Sequence, residues 1–148
     1  MTAIPLQLAD AVQRMLEAEE LDPTPVVDFA PTLEREQLTE PKIVVAPGNV
    51  LSEVISRSGV RSADHIVQVA VIKAVKPSDR DDVRACIEQC SSIAKLCATK
   101  PLEDGDENTL RTVPKTINHE PLYDREKLTA GVFLGVITIT YGAPGGVS

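Results

Sequence analysis

The chain has 148 residues, 43% of them apolar, which suits one domain with a sizeable core and argues against wholesale disorder. A formal net charge of −7 argues against a nucleic-acid-binding surface, which needs clustered Lys and Arg. No apolar run approaches the roughly 20 residues of a membrane span, and the first residues lack the basic stretch and apolar core of a secretory signal, so no export is expected.

Residues 4–20 are predicted as a first helix. Pro5 suits its first turn, and Leu8, Val12, Met15 and Leu16 form an apolar stripe. Asp22-Pro23-Thr24-Pro25 ends it as a stiff connector. Val27, Phe29 and Leu33 alternate as strand one, with Pro31 marking an edge or bulge. Strand two runs from Lys42 to Ala46 and is closed by Pro47-Gly48. Residues 49–64 are the least regular, with a loop around Arg57, Ser58, Gly59 and Arg61.

Strand three, His65 to Val75, is apolar on both faces and therefore central. Ser78 or Asp79 caps a second helix over residues 79–100, with Asp81 and Asp82 favourable in its first turn and Pro101 as its stop. Glu103 to Asn108 is an acidic loop tip. Strand four, Leu110 to Asn118, is interrupted by Pro114. Asp124 caps a short turn at Arg125–Leu128, and Gly131 releases a β-branched run from Val132 to Tyr141 as strand five. Residues 1–141 form a single domain, and the Gly/Pro-rich residues 142–148 a flexible tail.

The expected class is α+β: a mainly antiparallel sheet of four to five strands with two helices packed on one face. Strand five is apolar on both sides. Phe133, Ile137, Ile139 and Tyr141 are expected to face the helices, and Val132, Leu134 and Val136 the other way. A neighbouring subunit is a natural cover for that second face, which makes Val132, Leu134 and Val136 candidate subunit contacts.

No catalytic or cofactor-binding set emerges. Cys86, Cys90 and Cys97 fall on one helix face with Val83, Ile87, Ile93 and Ala94, the pattern of reduced core thiols rather than a metal site. His65 and His119 lie at strand boundaries with no nucleophile expected beside them. Glu103, Asp104, Asp106 and Glu107 lack the spacing of a calcium loop. Arg57 and Arg61 make a basic spot in an acidic protein, readable as a solvated loop or as a docking element for an acidic neighbour. From Glu17 to Glu40 acids outnumber Arg35, readable as a solvated face or as a wall that repels phosphate.

Two segments resemble a known family. The turn P-x-Y-D-x-x-x-L, from Pro121 to Leu128, precedes F-x-x-x-I-T-I-T-Y, from Phe133 to Tyr141, and together they resemble the C-terminal end of tailed-bacteriophage tail terminator and head–tail joining proteins. Asp28 to Pro47, DFAPTLEREQLTEPKIVVAP, resembles that family's first hairpin, and Arg57 to Lys73 its loop and third strand. With the helix of residues 79–100, the resemblance covers most of the chain. It rests on spacing and hydrophobicity rather than an invariant motif.

The resemblance implies a structural virion protein, not an enzyme, and no cofactor or metal. It implies a homohexameric ring at the head-proximal end of a phage tail that ends tail-tube polymerisation. Its partners would be the tail tube protein and the head connector or stopper protein. DNA would pass through the lumen without specific binding, and no membrane would be involved. Assembly would occur in the host cytoplasm. Glu34, Glu36 and Glu40, on the expected first hairpin, are candidates to face that lumen. A neck connector, a stopper or a minor tail completion protein is the nearest alternative. A cytosolic enzyme or small-molecule-binding domain is the alternative of another class.

Overall fold

The computed structural model describes residues 4–19, 21, 24–28, 38–48, 64–100, 114–119 and 122–142. Helix α1 spans Ile4–Ala18. Its 3.6-residue period carries Leu8, Val12 and Leu16 inward, where all three are fully buried. Gln13, on the same helix, donates to the Pro25 carbonyl at 2.9 Å and so ties α1 to the entry of the sheet.

Among the described residues five strands follow: β1 Val26–Val27, β2 Lys42–Pro47, β3 Asp64–Ala74, β4 Pro114–Asn118 and β5 Val132–Gly142. They lie in the order β1-β2-β3-β5-β4. All neighbours are antiparallel except the first pair. β1 runs parallel to β2, with Val26 opposite Val44 and Val27 opposite Val45. A tight two-strand turn joins only antiparallel neighbours; residues 29–37 of the expected first hairpin, Asp28 to Pro47, lie outside the described residues. Phe29, Leu33 and Pro31 of the predicted first strand lie outside the described residues.

β3 and β5 form the spine of the sheet, paired along their full length with Val69 opposite Ile137. β2 flanks β3, with Ile43 opposite Val71. β4 flanks only the last part of β5, with a register shift between Pro114 and Thr116. Pro114 has no N–H to give a ladder, which suits its place on the edge. Alternation along β3 and β5 therefore assigns odd-numbered residues to one face and even-numbered residues to the other.

Helix α2, Arg80–Thr99, begins where the Asp79 side chain accepts from the Asp82 N–H at 3.1 Å. That bond satisfies one of the donors every helix leaves free at its start. Asp81 and Asp82 in the first turn complement the positive end of the helix dipole. Cys86, Cys90, Ile93 and Cys97 are its buried residues. They join Leu8, Val12 and Leu16 of α1 in one core cluster with Ile43, Val45, Val67, Val69, Val71, Phe133, Ile137, Ile139 and Tyr141. The residues of β3 and β5 in that cluster are all odd-numbered, so it draws on one face of the central strands. Burying a side chain such as Ile137 or Phe133 contributes about 1.5–3 kcal/mol.

The even-numbered face carries a second cluster of Leu38, Val44, Ala70, Ile72, Val132, Leu134 and Val136. Within a single chain Val132, Leu134 and Val136 are only 4%, 4% and 5% exposed. These three candidate subunit contacts are thus buried already in the single chain. Leu38, which precedes β2, is fully buried among them, and its carbonyl accepts from the Ala74 N–H at 2.8 Å. The same face holds one buried polar pair: the Gln68 amide donates to Thr138 Oγ1 at 3.3 Å, across directly opposed positions of β3 and β5.

Candidate functional site

The segment from Asn118 to Gly142 joins the turn and strand on which the family resemblance depends. β4 ends at Asn118. His119 follows, its ring Nε2 3.2 Å from the Leu122 carbonyl, and burial lowers its pKa below the ordinary histidine value. The Asp124 side chain then accepts from the Lys127 N–H at 3.0 Å and caps a short helix α3, Arg125–Thr129. The sequence assigned Asp124 this capping role, and the geometry agrees.

Gly131 closes the turn. Its φ of 92° lies in the left-handed region that a Cβ disfavours, so glycine is the residue that lets α3 turn directly into β5. The Gly131 carbonyl accepts from the Val75 N–H at 3.0 Å and fixes this turn to the end of β3. The Asp124 N–H donates to the Leu134 carbonyl at 2.9 Å. One residue earlier, the Tyr123 ring meets Phe133 at 6.0 Å between centroids, tilted by 37°. The turn is thus held to the start of β5 by a ring pair, Tyr123 with Phe133, and by the backbone bond from Asp124 to Leu134.

Tyr141 ends the strand inside the helix-side core. It is fully buried, and its hydroxyl has no hydrogen-bond partner among the described residues. Burial pushes its pKa far above that of a free phenol. The three thiols share this environment. Burial pushes Cys86 up to about 11 and Cys90 and Cys97 to about 12, so none is thiolate at neutral pH. All three are free and buried, as their single-face spacing predicted. Among the described residues no group of His, Cys, Asp and Glu could hold a metal ion.

Charged contacts fix the helices rather than build a reactive centre. Lys73 of β3 pairs with Asp82 of α2 at 2.6 Å, and that hydrogen bond is the main reason the Lys73 pKa is raised. Lys100, at the end of α2, pairs with Glu19, just past α1, at 2.5 Å. Both pairs are part-exposed, and such pairs contribute about 0–1 kcal/mol. Neither pairing was legible in the sequence, because each joins two separate elements that only packing brings together.

The remaining candidate residues fall as follows. Glu40 is exposed just before β2. Glu34, Glu36, Arg57, Arg61 and the acidic tip at 103–108 lie outside the described residues. Val132, Leu134 and Val136 come together on β5, but in the core. Gly135, which the sequence reading passed over, lies against Cys90 of α2 with no room for a side chain. Its only sequence signal is a glycine inside a β-branched run. No helix of the described residues is long and apolar enough to cross a membrane.

The chain matches no protein-family model and no curated protein. Chains of solved structures do match it. One, from a protein whose name states no activity, aligns over 99% of this chain and 100% of its own at a TM-score of 0.53 and 13% identity. At that identity the likeness is one of fold alone.

Proposed function

We propose that this chain is a structural protein of a tailed-bacteriophage virion, a tail terminator that forms a ring at the head-proximal end of the tail. It would end tail-tube polymerisation there and join the tail to the head connector. One observation carries the proposal: the segment from Asn118 to Tyr141 has the spacing of that family's C-terminal end, and its turn and strand are in contact through Asp124, Tyr123 and Phe133. The acidic charge is compatible with a conduit that DNA passes without sticking.

The mechanism would be closure. A head-to-tail interface whose rotation closes yields a ring, whereas one that does not close yields a filament. One ring face would take the place of the next tube ring while the other engages the connector. Because Val132, Leu134 and Val136 are buried within one chain, the ring contacts would come from other surfaces, among which Arg57 and Arg61 remain candidates.

Negative-stain imaging of the purified protein, alone and mixed with tail tubes, tests this. Rings seated on one end of the tubes are the expected result. Binding to portal–adaptor complexes but not to tubes would instead indicate a neck connector or stopper. A monomer that ignores both, and takes up a small ligand, would point to the cytosolic alternative.

A further inference from the structure

We draw no further inference here: the strongest candidate, the outer edge of β1 where Val26 stands exposed, has no strand beside it among the described residues, and nothing in the structure shows what covers it.

Discussion

A Cβ placed on Gly135 of β5 would stand 2.7 Å from the sulfur of Cys90 on α2. Helix and strand approach this closely because residue 135 has no side chain. The Phe133 ring at 3.0 Å and the Leu122 carbonyl at 3.2 Å close the remaining space. Gly135→Ala is expected to destabilise the fold by about 1–3 kcal/mol, the range for overpacking. Cys90→Ala removes the nearest atom, so the double variant should lose less than the sum of the two single losses. Denaturant unfolding of the four proteins measures this; strictly additive losses would show that the two residues do not meet.

The two faces of β5 give a second expectation. Ile137 is fully buried against the helices, and Ile137→Ala should cost about 2–5 kcal/mol. Leu134 points the other way but is also core, so Leu134→Asp should destabilise the isolated chain severely, as Ile137→Asp does. A Leu134→Asp protein with near-normal thermal unfolding that fails only in assembly would return this face to the role of subunit contact.

Tyr141 offers a substitution expected to do no harm. Its buried hydroxyl has no partner among the described residues, and an unsatisfied buried polar group costs about 1–3 kcal/mol. Tyr141→Phe keeps the ring and removes that cost, so the unfolding midpoint should stay or rise. A clear fall in the midpoint would reveal a hydrogen bond to that oxygen.

The thiols are expected to weaken the fold in alkali. In the unfolded chain they titrate near 9.0, but in the fold Cys86 is held near 11 and Cys90 and Cys97 near 12. Between those values the folded chain keeps protons that the unfolded chain has released. Their contribution to stability is complete below pH 9 and is lost as pH rises through that window, approaching about 1.4 kcal/mol per pH unit for each thiol. Replacing Cys86, Cys90 and Cys97 by Ala or Val should flatten the decline, as measured by denaturant unfolding between pH 7 and 10.5. An unchanged slope in the triple variant would assign the decline to other groups.

For the proposed conduit, Glu34, Glu36 and Glu40 are the residues to exchange. Converting all three to Lys should leave the circular dichroism spectrum intact and add DNA affinity that weakens as salt rises. It should slow genome delivery more than assembly. Rings in which all three stand on the outer rim, far from the axis, would end the idea that they line the lumen while leaving the terminator proposal in place.

What the chain settles by itself is what neighbours in sequence decide. The stripe of Leu8, Val12 and Leu16, the buried row of Cys86, Cys90, Ile93 and Cys97, and the caps at Asp79 and Asp124 all depend on contacts within a turn or two of helix. Alternation along β5 is equally local, so Phe133, Ile137, Ile139 and Tyr141 could be assigned to one face before any partner strand was known. Pairing is a different matter. That Val26 runs parallel to Val44, and that β5 inserts between β3 and β4, depends on which distant strand offers the matching edge. Val132, Leu134 and Val136 show the limit most clearly: their apolarity demands a cover, but apolar pattern alone does not distinguish burial within one chain from burial against a second. Only the tertiary structure, by enclosing them with Leu38, Val44 and Ile72, made them core, because burial is a property of the whole packed chain and not of any one strand.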